Sequence, residues 1–254
     1  MKVTLLGTGT SQGVPLVACD CEVCLSGDPK DKRLRTSIML EAGDKVFVID
    51  SGPDFRQQML REKVKQLDGV IFTHEHKDHI AGLDDVKAFN FILKKEIDVY
   101  ASPNVLVALK REYHYIFNNS NYPGIPRINV KHIENKPFSA SGVRFIPIEV
   151  MHYKLPVLGF RIGDFTYITD ASHISEAEKA KIIGSKVLVL NALRKEKHIS
   201  HFNLEEAISL IKELNPEKAY IVHISHQLGL HSEVSKLLPS NIELAYDGLK
   251  IFVA

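Results

Sequence analysis

Short apolar runs alternate along the chain with amphipathic segments. Runs rich in Val, Ile, Leu and Phe occur at Val3–Leu6, Ser37–Glu41, Val46–Asp50, Gly69–Thr73, Asp98–Ala101, Val143–Val150, Gly159–Ile162, Phe165–Thr169, Val187–Leu190, Ala219–Ile224, Glu243–Tyr246 and Lys250–Val253. Several alternate with period two, which predicts half-buried strands, because successive strand side chains point to opposite faces. Helical periodicity falls between them. It is clearest over Asn203–Leu214, where Leu204, Ala207, Ile208 and Ile211 share one face and Glu205, Glu206, Lys212 and Glu213 the other. Asn203 is placed to cap this helix, with Glu206 three residues on and Pro216 just past its end. Asp54–Val64, Asp84–Lys94, Ser102–Phe117, Ser175–Ile183 and His231–Leu238 also read as helices. The stretch Asn118–Ile133, rich in Asn, Pro and Gly, predicts an irregular connection.

Strands followed by helices, twice over, predict an α/β fold of two similar halves. The order fits two sheets packed face to face with helices outside, among other α/β arrangements. Residues 1–254 are expected to form a single domain. A chain of 254 residues with 44% apolar and 25% charged positions can bury a sizeable core. The 32 basic and 31 acidic residues leave a net charge of +1, which argues against a general nucleic-acid binder. No run approaches the roughly 20 apolar residues that span a bilayer. Met1–Gly7 leads straight into a strand rather than forming a secretory signal, so a soluble cytoplasmic protein without membrane partners is expected.

Candidate chemistry concentrates in two segments. Cys19, Cys21 and Cys24 are the only cysteines and lie within six residues of one another. An odd, tight cluster is a poor disulfide framework and points to metal binding or redox chemistry. The second segment is Thr73-His74-Glu75-His76-Lys77-Asp78-His79, at the end of an apolar run. On extended backbone His74 and His76 project from one face, while Asp78 and His79 follow where the chain turns. Imidazole with carboxylate suits zinc, manganese or iron, and such a site with an open position can activate water. A solvated histidine loop is the blander reading, and four candidate ligands at a strand end argue against it. The segment is not a zincin motif, because Asp78 stands where that motif has its second histidine.

This segment resembles the H-x-H-x-D-H signature of the metallo-β-lactamase superfamily. The resemblance continues in order along the chain: Val48-Ile49-Asp50-Ser51-Gly52, then His152, Asp170 in Tyr167-Ile168-Thr169-Asp170, and His223 in Tyr220-Ile221-Val222-His223. It implies a four-layer αββα sandwich and a dinuclear centre of zinc or manganese. His74, His76 and His152 would hold one metal. Asp78, His79 and His223 would hold the other, Asp170 would bridge them, and Asp50 would orient the loop. The opening Gly7-Thr8-Gly9-Thr10-Ser11-Gln12-Gly13-Val14-Pro15, the three cysteines and Val222-His223-Ile224-Ser225-His226-Gln227 are similar to those of the PhnP-type cyclic-phosphate phosphodiesterases. That similarity implies a structural zinc on Cys19, Cys21, Cys24 and His226, and a catalytic role for His201 beside Asp78. It also implies hydrolysis of a small phosphodiester, such as 5-phosphoribosyl 1,2-cyclic phosphate, by a metal-bridging hydroxide, with a homodimer as a possible assembly. Rival readings within the resemblance are a tRNA 3′-processing-type nuclease, a lactonase, and a metal-binding accessory protein like pyrroloquinoline quinone biosynthesis protein B.

Overall fold

The computed structural model describes residues 1–118 and 122–253, and among these fourteen strands form two seven-stranded sheets. The strands are β1 (Lys2–Gly7), β2 (Ser37–Ala42), β3 (Lys45–Ile49), β4 (Gly69–Ile71), β5 (Ile97–Ala101), β6 (Ile128–His132), β7 (Phe138–Ala140), β8 (Val143–His152), β9 (Leu155–Ile162), β10 (Phe165–Ile168), β11 (Val187–Asn191), β12 (Lys218–Val222), β13 (Ile242–Leu244) and β14 (Lys250–Phe252). The first sheet runs β14-β1-β2-β3-β4-β5-β6 and the second β13-β12-β11-β10-β9-β8-β7. Each sheet has an antiparallel part followed by a parallel part. In the first, β1 to β3 pair antiparallel and β3 to β6 parallel. In the second, β7 to β10 pair antiparallel and β10 to β13 parallel. These are the two similar halves, and β14 returns the chain to the first sheet against β1.

Period-two patterning sorts the side chains into layers. Val3, Leu5, Ile38, Leu40, Phe47 and Ile49 of the first sheet meet Phe145, Phe160, Phe165, Tyr167 and Val189 of the second in one central core. Phe47 crosses it to pack edge-on against Phe145, with ring centroids 5.6 Å apart. The alternate residues Leu6, Met39, Val48, Val70 and Val99 face outward onto Phe55, Met59, Phe89, Val105 and Leu109 of the helices Phe55–Arg61, Lys87–Leu93 and Pro103–Glu112. On the other side Ile148, Ile168, Leu188, Leu190 and Ile221 meet Ile182, Ala207, Leu210 and Ile211 of the helices Glu176–Ile182 and Leu204–Leu214. The result is the four-layer αββα sandwich. Asn203 caps the last of these helices, with the reciprocal Glu206 bond in place.

Differences from the sequence reading have local causes. The stretch Asn118–Ile133 carries strand β6 at its end, although residues 119–121 of it lie outside the described residues. Ile-Asn-Val-Lys-His is a half-exposed edge strand, held through its backbone by β5, so it lacks a strong apolar pattern. The short strand β7 was likewise not predicted. The helix expected over Ser102–Phe117 breaks at Tyr113, which leaves helical geometry at φ −120° and ψ 40° and donates its hydroxyl to the carbonyl of Ile80. The helix expected over Asp84–Lys94 opens with a 3-10 turn over Leu83–Val86. Among the described residues no helix is long and apolar enough to cross a membrane.

Candidate metal centre

The candidate residues gather where parallel strands end. Asp50 follows β3, Asp170 follows β10 and His223 follows β12. All three adopt left-handed backbone geometry, with φ of 66°, 57° and 56°. Non-glycine residues hold that geometry at a cost of roughly 1 kcal/mol or more each, and such strain concentrates at functional sites. The motif loop leaves β4 and turns into a short helix, Lys77–Ile80, at His76. It lies against the Ser51-Gly52 turn so closely that a Cβ on Gly52 would stand 2.0 Å from the carbonyl oxygen of Asp78. Only glycine fits there. His152 ends β8, and His201 sits in the connection between β11 and the helix Leu204–Leu214.

All seven predicted dinuclear ligands converge. The rings of His74 and His76 lie 4.6 Å apart, those of His76 and His152 5.1 Å, and those of His74 and His152 6.0 Å. His79 Nε2 stands 3.2 Å from Asp78 Oδ2 and 3.2 Å from Asp170 Oδ2, and its ring stacks at 6.2 Å on that of His223. His223 Nδ1 lies 3.3 Å from Asp170 Oδ2. Donor atoms of His74, His79 and Asp170 fall within 4.8 Å of one another, as do those of His152, Asp170 and His201, so Asp170 is common to both sets. Both sets cut across the division of ligands that the resemblance implies. His201 Nδ1 lies 3.9 Å from Asp170 Oδ1, and its ring packs at 4.6 Å from His152 and 4.8 Å from His223.

Outer hydrogen bonds orient these imidazoles. Asp50 is fully buried. Its Oδ1 accepts the Thr73 amide, and its Oδ2 accepts the Thr73 hydroxyl and sits 2.7 Å from His79 Nδ1. His152 Nδ1 donates to the carbonyl of Ser200 at 2.7 Å. Thr73 Oγ1 lies 2.9 Å from His74 Nδ1. In each ring one nitrogen is held and Nε2 is left for another partner, as metal-binding histidines are arranged. The buried Nε2 of His74 and the buried Nδ1 of His201 have no hydrogen-bond partner, and His79 Nε2 faces the Asp78 and Asp170 carboxylates at 3.2 Å without hydrogen-bond geometry. Unpaired buried nitrogens are costly, and nitrogen and carboxylate donors this close fit divalent metals of the zinc or manganese type. Burial opposes a charge on His79, yet Asp170, Asp78 and Asp50 raise its pKa well above the usual histidine value. Burial and the neighbouring His79 push His74 well below that value.

The cysteine cluster is built differently. Cys19, Cys21, Cys24 and His226 bring their donor atoms within 4.8 Å of one another, a set that fits tetrahedral zinc. His226 Nδ1 lies 3.4 Å from Cys19 Sγ and 3.2 Å from Cys21 Sγ. The thiol of Cys21 is drawn down to about 6, chiefly by His226, whereas burial pushes that of Cys24 up to about 11. The cluster fastens the N-terminal loop beside the histidine site. Thr10 donates its amide to the carbonyl of Ile224, and its hydroxyl lies 3.3 Å from His223 Nε2.

Some supporting residues escaped the sequence reading. Asn191 is buried and clasps Ala171 through both amide atoms, fixing the turn that carries Asp170. The signal was a lone polar residue closing the apolar run Val187–Leu190. Thr73 and the Ser200 carbonyl carry no comparable signal.

Comparisons with known proteins follow the same lines. A model of the beta-lactamase superfamily domain matches residues 45–224. A crystal structure of a diphosphatase from the PhnP family superposes with a TM-score of 0.93 at 38% identity, covering 100% of this chain and 98% of that one. An octanoyltransferase from Porphyromonas gingivalis is 39% identical over 257 residues, spanning 100% of this chain but only 52% of that protein. The chain thus spans about half the length of that curated relative. Zinc-bound PqqB from Methylobacterium extorquens shares the fold, with a TM-score of 0.81 at 19% identity over 100% of both chains. The chain belongs to the metallo-β-lactamase superfamily and, within it, groups with the PhnP family.

Proposed function

We propose that the protein is a metal-dependent hydrolase of a small phosphodiester, of which 5-phosphoribosyl 1,2-cyclic phosphate is the type. The observation that carries this reading is His201. It is a buried imidazole whose Nδ1 has no hydrogen-bond partner, set 3.9 Å from the Asp170 carboxylate at the heart of the donor cluster. The likeness to a PhnP-family diphosphatase supports phosphoryl chemistry. His74, His76 and His152 would hold one divalent metal, Asp78, His79 and His223 a second, and Asp170 both. Bound there, zinc or manganese would supply a water of lowered pKa and neutralise charge on a phosphoryl oxygen.

The chain's own groups do the rest. Asp50 keeps the His79 ring in one orientation through Nδ1, and the Ser200 carbonyl does the same for His152. Asp78 directs its carboxylate at the same cluster from the first turn of the Lys77–Ile80 helix. Burial, with His223 second, lowers the His201 pKa to about 2, so the ring is neutral and would donate an N–H hydrogen bond to a phosphoryl or leaving oxygen as charge builds up there. The accessory-protein reading is disfavoured because every donor position is filled and convergent. Acyl transfer, named for the Porphyromonas relative, has no independent support in this chain, which matches half of that protein.

Elemental analysis alongside hydrolysis of bis(p-nitrophenyl) phosphate tests the reading. About three metals per chain and chelator-sensitive turnover are expected. Asp170→Ala should lower turnover by more than about 100-fold, beyond the loss typical of an outer hydrogen bond. One tightly held zinc and no turnover after adding zinc or manganese would shift the assignment to the accessory protein.

A further inference from the structure

The loop after β1 reaches the histidine–aspartate cluster through one side chain. Thr8 to Thr10 runs alongside Ile224. The Ile224 amide donates to the carbonyl of Thr8 at 2.9 Å, and the Thr10 amide donates to the carbonyl of Ile224 at 3.1 Å. Gly9 bridges to Ile224 on one side and to Arg35 on the other. Its carbonyl accepts the Thr36 hydroxyl at 2.6 Å, and the carbonyl of Thr10 accepts the Gly13 amide at 2.8 Å. The backbone of Thr10 is thereby held on both sides. Its hydroxyl lies 3.3 Å from His223 Nε2 and has no other hydrogen-bond partner among the described residues.

The tautomer of His223 decides what that hydroxyl can do. At the other end of the ring, Nδ1 lies 3.4 Å from Thr169 Oγ1 and 3.3 Å from Asp170 Oδ2. The Thr169 hydroxyl directs its single proton at Asp170 Oδ2, 2.7 Å away. Nδ1 therefore faces two acceptors and carries the ring proton. Nε2 is left with the lone pair, and the Thr10 hydroxyl is the group that donates to it. The same lone pair is what His223 would offer a metal. Once shared in that way it no longer accepts, and the Thr10 hydroxyl holds a proton for which the described residues supply no other acceptor.

A ligand at the cluster would meet this proton. The His223 ring stacks at 4.8 Å on that of His201 and at 6.2 Å on that of His79, so Thr10 stands at the edge of a ring whose faces border the site. Thr10 is half-buried and is followed by the exposed Ser11 and Gln12, which leaves this side open to a small molecule. A phosphoryl anion carries several acceptor oxygens, so one can meet His201 while another meets Thr10.

We infer that Thr10 is a substrate-binding residue, whose hydroxyl donates a hydrogen bond to a non-bridging oxygen of the phosphoryl group under attack. This rests on the phosphodiesterase reading above and adds a donor from the N-terminal loop to it.

Three substitutions test the role. Thr10→Val replaces the hydroxyl by a methyl of similar size, Thr10→Ala removes it with less bulk, and Thr10→Ser keeps it. The full-length, zinc-loaded proteins are titrated calorimetrically with inorganic phosphate, and their metal content is measured in parallel. Thr10→Val and Thr10→Ala should each weaken phosphate by about tenfold, the worth of a hydrogen bond to a charged group, whereas Thr10→Ser should stay within about threefold of wild type. The metal content of all three should match wild type. Unchanged phosphate affinity in Thr10→Val or Thr10→Ala would overturn the inference, as would a Thr10→Ser variant as weak as Thr10→Val, or no phosphate binding by wild type. Loss of metal from the histidine cluster in Thr10→Ala would overturn it too, because Thr10 would then be a support of the His223 ring. Failure of the underlying reading shows elsewhere, as absence of bis(p-nitrophenyl) phosphate turnover by metal-loaded wild type.

Discussion

The two donor clusters of this protein are built on opposite plans. The histidine–aspartate cluster draws on the segments that follow β3, β4, β8, β10, β11 and β12, and the rings of His74, His79 and His152 each have an outer partner at Nδ1. The cysteine cluster takes three ligands from one loop and one from the turn after β12, and Cys19, Cys21 and His226 are only half-buried. One plan gathers distant backbone and leaves buried nitrogens without hydrogen-bond partners. The other ties a loop to the body of the protein. The difference teaches that similar donor density can arise in two ways: one cluster is assembled from strand ends far apart in the sequence, the other from a single loop joined by one residue after β12.

Three experiments sharpen that contrast, in falling order of effect. Asp50→Asn removes the carboxylate that grips His79 Nδ1 and both donors of Thr73. It should reduce metal affinity at the histidine cluster by about 10–100-fold, read by competition with a chelating dye. The cysteine site should keep its zinc, and equal loss from both clusters would break the distinction. Cys21→Ser acts on the other plan. It should cost one metal per chain and about 1–2 kcal/mol of stability, or a few degrees in Tm, while two metals remain. An unchanged metal count would remove the structural zinc from the account.

His231 provides the smallest effect and a control, because it is a buried histidine in neither cluster. Its Nδ1 lies 3.2 Å from Arg33 Nη2, and its amide donates to Asp31 Oδ1. Burial, with Arg33 second, lowers its pKa from 6.5 to about 4. The unfolded chain therefore takes up a proton below pH 6.5 that the folded chain refuses until about pH 4. Its contribution to stability is whole above pH 6.5, declines as the pH falls through that window, and is level below it. Denaturant midpoints of His231→Gln should fall less steeply between pH 6.5 and 4 than those of wild type. Parallel profiles would show that His231 does not titrate this way.

Legibility in the sequence followed the range of each interaction. His74, His76, Asp78 and His79 were visible because four donors share six residues, and the cysteines for the same reason. His152, Asp170 and His223 are single residues at strand ends, legible only as an ordered series that resembles a family. Their convergence depends on backbone turns at Asp170 and His223 that no composition signals. Asn191, Thr73 and the Ser200 carbonyl hold the site through ordinary polar groups. Strand β6 escaped notice because an edge strand is held by backbone pairing rather than by apolar side chains.

The sequence by itself determined the alternation of strands and helices and the donor types available to a metal. Period-two runs assign each strand residue to the central core or to a helix-facing side, and that assignment is a local property of the chain. The donor types in the two motifs likewise limit the metals they suit. Only the tertiary structure decided which residues meet. His74 and His223 are 149 positions apart in the sequence. They come within one cluster because two twisted sheets stack and end their parallel strands on the same edge. That meeting is fixed by the packing of two whole sheets, a non-local property that no short stretch of sequence encodes.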